Sequence, residues 1–130
     1  MADGVKVSIV GERELVAEFE DARVFTRSEA KKVVSKGALN IKSEWRRRWR
    51  GIAHAPRLPL SISYDITDAA DMISAEIGPV DGPALQGFLG AIIEFGGIHS
   101  GPIPGGLPSL ELEAPRFESA CDALLREALP

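Results

Sequence analysis

Residues 26–51 read TRSEAKKVVSKGALNIKSEWRRRWRG, and this stretch decides the fold. Thr26 is a good N-cap, and Glu29 three residues on completes a capping box. Gly51 stands where a left-handed C′ residue belongs. Between them Val34, Ala38, Ile41, Trp45 and Trp49 recur at spacings of four, three, four and four. That is one face of a helix over about 26–50, ~36 Å long at 1.5 Å per residue. Gly37 lies inside it and marks a close helix contact. So long an apolar stripe needs a second layer to lie on.

The flanking sequence supplies that layer. Val5–Val10 alternates and predicts a strand with Val5, Val7 and Ile9 on one face, ended by Gly11. Glu14–Asp21 fits either a hairpin partner or a short helix; its period alone does not separate them. Beyond the Pro-punctuated connector His54–Pro59, Leu58, Leu60, Ile62, Tyr64 and Ile66 alternate with polar residues or proline, and Met72–Gly78 resumes the alternation. This predicts a hairpin over about 58–80. Asp81 and Pro83 open a second helix as N-cap and N1, with Leu85, Phe88, Leu89, Ile92 and Phe95 as its apolar face. Residues 96–108 form a Gly/Pro loop. Pro115 begins a last helix over about 114–129, with Phe117, Ala120, Cys121, Leu124 and Ala128 as its stripe. The expected fold is a single α+β domain over 1–130. A small antiparallel sheet, made of the N-terminal strand plus the hairpin, carries the long basic helix across it, with two shorter helices beside.

Composition narrows the function. The 130 residues are 45% hydrophobic and 26% charged, with a net charge of −4, as in a soluble domain with one modest core. That charge is a cancellation. Arg23–Arg50 holds ten basic and two acidic residues, a net of +8, which leaves −12 on the rest. With one cysteine, Cys121, no intrachain disulfide or cysteine zinc site forms. The N-terminus lacks a signal-peptide pattern, and no apolar run approaches the ~20 residues of a membrane span. A reducing, aqueous compartment is expected, with no membrane partner.

Chemistry-bearing motifs are sparse. His54 and His99 stand 45 positions apart, without partners at ligand spacing. No nucleophile elbow, Walker loop or dinucleotide fingerprint occurs. Asp65, Asp68 and Asp71 do not match the alternating oxygens of a calcium loop, and Cys121 has no neighbouring base. We expect no enzyme activity, no cofactor and no metal. Trp45-Arg46-Arg47-Arg48-Trp49-Arg50 admits two readings. Its arginines and tryptophans fit a nucleic-acid surface. Its helical period turns both tryptophans to a core or a subunit, leaving Arg46, Arg47 and Arg50, with Lys32 and Lys36, on an outward basic face.

The second half resembles a known family. Ala55-Pro56, then Leu60-Ser61-Ile62, Ile77-Gly78-Pro79 and Ile93-Glu94-Phe95-Gly96 occur in order, followed by a Pro-rich loop with a Pro-Ser-Leu stretch and a final helix. In this the chain is similar to the siphophage head–tail joining or tail-completion proteins, minor virion proteins of the neck. The match covers roughly residues 24–129. It departs at Arg57-Leu58-Pro59, where the family has Thr-Gly, and at Gly97, where it has Thr. Leu107-Pro108-Ser109-Leu110 with Ala114-Pro115 only approximates the family's Pro-Leu-Pro-Ala.

The resemblance implies a ring, hexameric in the family, between the portal stack and the tail tube, with genomic DNA passing through the lumen. Its partners would be further copies of the chain, the adaptor or stopper side of the neck, and the tail tube or terminator. Localisation would be the virion neck, after synthesis in the host cytoplasm. Pro56, Ser61, Ile62, Glu94, Phe95 and Gly96 carry over as a structural signature. Glu94 has two readings, a solvated carboxylate or one with a specific partner such as an arginine. The resemblance also favours a short helix for residues 12–21. Ile98–Pro108, with Gly101, Pro102, Pro104, Gly105 and Gly106, is expected to reach a neighbouring ring or tail protein. A tail terminator ring and a small nucleic-acid-binding module using the Trp/Arg helix remain alternatives.

Overall fold

The long helix forms because its apolar stripe is continuous and its ends are marked. In a computed structural model, which describes residues 5–10, 14–19, 27–69, 72–82, 85–98 and 101–128, it runs as α1 over Arg27–Arg48. Val34, Ala38, Ile41, Trp45 and Trp49 are all buried. Gly51 has φ +86° and turns the chain away, as a C′ glycine does. The predicted N-cap Thr26 lies outside the described residues.

Among the described residues four strands form one antiparallel sheet. They are β1 Val5–Val10, β2 Glu14–Phe19, β3 Ile62–Asp68 and β4 Met72–Pro79, in the order β1-β2-β4-β3. The fold is α+β, as expected, with a sheet one strand larger. Residues 14–19 are a strand rather than the short helix that the resemblance favoured. The reason is tertiary. β2 pairs on both sides, Leu15 opposite Ile9 and Ala75, and Ala17 opposite Val7 and Ile73, so its backbone groups are satisfied in two ladders at once. Ile73, Ala75 and Ile77 of β4 face α1 and are fully buried, with Ile62 of β3.

The hairpin begins later than its alternation implied. Leu58–Ser61 is a single helical turn, α2, and Ser61 Oγ donates to the Leu58 carbonyl at 2.6 Å. Leu58 is buried while Leu60 is 60% exposed, as in a turn whose residues do not share one face.

The second helix is shorter than predicted. A 3₁₀ turn at Gly87–Leu89 leads into α3, Gly90–Phe95; Pro83 lies outside the described residues. The last helix is longer. α4 spans Gly106–Ala128, with Pro115 inside it, so Pro115 does not start it and the loop ends at Gly105. α4 lies beside α1 and reaches β1. Phe117, Cys121 and Leu124 are buried as expected, whereas Ala120 is exposed.

Candidate functional site

The Glu94 carboxylate is the centre of the most organised polar contact in the molecule's interior. Glu94 sits in the last turn of α3, where the helix dipole disfavours a negative charge. It is nevertheless only 8% exposed. Its compensation comes from another helix. The Gly105 N–H donates to both carboxylate oxygens at 3.0 Å, and the Gly106 N–H donates to them at 3.0 and 3.2 Å. These amides open α4, so a carboxylate fills the anion position at a helix N-terminus. The partner of Glu94 is therefore backbone, not the arginine considered from sequence.

Only glycine fits this cradle. A Cβ at Gly105 would stand 2.6 Å from Trp45 Cδ1 and 2.7 Å from Trp49 Nε1, and one at Gly106 would stand 2.7 Å from Trp45 Cζ2's neighbour Cη2. The two indoles meet edge to face, centroids 5.5 Å apart. Trp49 Nε1–H donates to the Ile103 carbonyl at 2.9 Å, and the Ile103 N–H donates to the Ile93 carbonyl at 2.7 Å. Ser109 Oγ donates to the Gly105 carbonyl at 2.5 Å. The end of α1, α3, the loop and the start of α4 are thus one connected unit.

This corrects the reading of the loop. Gly101, Pro102 and Pro104 are exposed, but Gly105 and Gly106 are buried and structural. Residues 101–104 are the part of the loop left in solvent.

The basic run is also partly spent inside the molecule. Arg46 is half-buried, with Nε and Nη2 donating to the Ile62 carbonyl at 3.2 and 2.8 Å, and so ties α1 to the start of β3. Arg47 forks onto Glu44 at 2.8 and 2.6 Å, and Arg48 reaches the same carboxylate at 2.9 Å. The Arg47 hydrogen bonds hold the Glu44 carboxyl below its ordinary range. Trp45 and Trp49 are 2% and 0% exposed, so neither offers a face for base stacking. Lys32, Lys36 and Arg50 are exposed, as is Arg47 despite its pairing.

Of the remaining signature residues, Ser61 and Ile62 are buried at the α2–β3 junction and Pro56 is exposed. Gly96 has φ +86° at the end of α3, and Phe95 is 63% exposed. His54 is exposed and His99 lies outside the described residues. Among the described residues no three His, Cys, Asp or Glu side chains gather as a metal site requires, and no helix is long and apolar enough to cross a membrane. Cys121 is buried, and burial, with Asp122 and Glu118 nearby, pushes its thiol up to about 12. A thiol so placed is a core group, not a nucleophile.

The sequence did not reveal the amide cradle, because Glu94 and Gly105 are joined only in space. One local signal was present: Pro108 is tolerated in a first helical turn, which fits a start at Gly106. Comparison with protein-family models, with curated proteins and with solved structures finds no match for this chain.

Proposed function

We propose that the chain is a structural protein of the head–tail interface of a siphophage virion. In this reading copies form a ring, hexameric as the resemblance implies, that joins or completes the tail and surrounds the DNA channel. The observation that carries it is the Glu94 unit. The run Glu94-Phe95-Gly96, at the heart of the resemblance, has an architectural task here: it anchors the loop and α4 on the tryptophans of α1. That suits a protein whose product is a rigid assembly. The charge split supports the same reading. A head-to-tail ring repeats one surface against a different one, and a +8 segment with a −12 remainder supplies surfaces of opposite sign.

The nucleic-acid module is weakened as a primary role. Its two aromatics are buried, and three of its arginines are engaged within the chain. DNA in a lumen would meet Lys32, Lys36 and Arg50 passively.

The reading is tested by deleting the gene from the phage that carries it. Filled heads and free tails, rejoined by the purified protein, are the expected result. Fully joined, infectious particles without the protein would refute it.

A further inference from the structure

Helix α3 and the 3₁₀ turn before it are apolar on two sides, with Leu89 and Ile93 packed against the core. Phe88, Ile92 and Phe95 follow one another at helical spacing and share a face, yet they are 70%, 49% and 63% exposed. The opposite face carries Gly90 and Glu94, both buried. Ile98, just beyond, is 97% exposed. The inward side is already filled by Leu89 and Ile93, which leaves Phe88, Ile92 and Phe95 in solvent. This orientation is fixed at three points. Gly90 lies against the Pro79 ring, Gly87 lies against the Val80 carbonyl, and Glu94 is held by the α4 amides.

Val80, whose N–H donates to the Ser61 carbonyl, and Leu60 are exposed, and the Ile103 N–H donates to the Ile93 carbonyl. Of the large apolar side chains found exposed, Phe88, Ile92, Phe95 and Ile98 follow one another along this short segment and just beyond it. We infer that this face is a docking surface and that its occupant is a second copy of the chain.

Two observations favour that occupant. The first is area. Phe88, Ile92, Phe95 and Ile98 expose on the order of 500 Å², toward the upper end of a monomer's largest apolar patch and a substantial share of the ~800 Å² that each partner gives to a standard interface. The second is charge. Residues 82–110 hold one charged side chain, Glu94, and it is buried. At the rim stand Arg57, whose N–H donates to Gln86 Oε1, and Asp81, beside Gly87, one of each sign. On a bipolar molecule this is the region where a copy of itself meets no like charge. Outside it, the basic helix and the acidic remainder are free to face their opposites, an apolar centre with a charged periphery. The patch is held rigid before contact, so little is lost in ordering it. This inference takes its choice of occupant partly from the ring reading above, but its test is separate.

Sedimentation velocity of the full chain over about 1–100 μM should show concentration-dependent association, weakened at least tenfold by Phe88→Glu with Phe95→Glu. Both side chains are exposed, so the melting temperature should stay within about 3 °C of the parent. If that double variant does not fold, Ile98→Lys alters a side chain that is almost wholly in solvent. As a direct probe, Ile98→Cys carrying an environment-sensitive fluorophore should shift to the blue when unlabelled chain is added. It should not respond to phosphatidylcholine vesicles; a response to vesicles and not to the chain would assign the face to lipid and overturn the inference. A parent that stays monomeric throughout, or variants that associate as the parent does, would overturn it too. The ring reading fails independently, if particles lacking the protein are still joined. Particles that need the protein but tolerate the Phe88→Glu, Phe95→Glu pair would remove this interface alone.

Discussion

Glu94 shows how one side chain joins elements that are distant in sequence. Its carboxylate takes the first amides of α4, and charge-assisted bonds of this kind are the stronger ones. Glu94→Ala leaves two buried N–H groups without an acceptor. It should cost about 3 kcal/mol by urea denaturation, with Glu94→Gln costing about half as much, since one acceptor oxygen remains. Gly105→Ala should cost about 2–3 kcal/mol, because its Cβ meets two packed indoles. Cys121 gives a pH-dependent prediction. Its thiol is raised to about 12 in the folded chain, so the unfolded chain ionises first as pH rises. The resulting stability is intact below the unfolded thiol's range and is lost progressively between about pH 9 and 12. At pH 8 the native chain should resist alkylation by iodoacetamide, and the urea-unfolded chain should react; equal rates would contradict a buried thiol.

At the scale of elements, what was legible in the sequence was what local periodicity encodes. The stripe from Val34 to Trp49, the C′ glycine at Gly51 and the alternation of β4 all read directly. Elements whose limits depend on distant partners did not. β2 is a strand because β1 and β4 pair with it. α4 starts at Gly106 because Glu94 caps it from α3, a partner that a local reading starting the helix at Pro115 does not contain. The stripe predicted for the second helix divides, with Leu89 against the core and Phe88, Ile92 and Phe95 in solvent, an orientation set by Gly87, Gly90 and Glu94, each through a tertiary contact. Pro115 tests the α4 boundary. Inside a helix proline lacks an N–H and crowds the preceding turn. Pro115→Ala, at an exposed position, should therefore stabilise the chain by about 1–3 kcal/mol in thermal or urea unfolding. A loss of stability would argue that the helix begins at Pro115.

At the scale of the whole molecule, the net charge of −4 conceals a basic helix against an acidic remainder. The structure reduces what that helix has to offer a nucleic acid, since Arg46, Arg47 and Arg48 have partners within the chain and both tryptophans are buried. Duplex DNA binding by the isolated protein should therefore lack the 10³–10⁵-fold loss between 50 and 200 mM salt that roughly six to ten phosphate contacts produce. The exposed start of the loop is a better candidate for contact with a neighbour. Removing Gly101 and Pro102 spares Gly105 and Gly106 and should leave a folded chain; the ring reading predicts that heads and tails then stay apart in particles carrying it. The most direct measurement is cryo-electron microscopy of the virion neck. The ring reading predicts a closed ring of this chain at the head–tail junction, around the DNA channel, with the Phe88–Phe95 face of each copy covered by the next. A junction without this chain would contradict it.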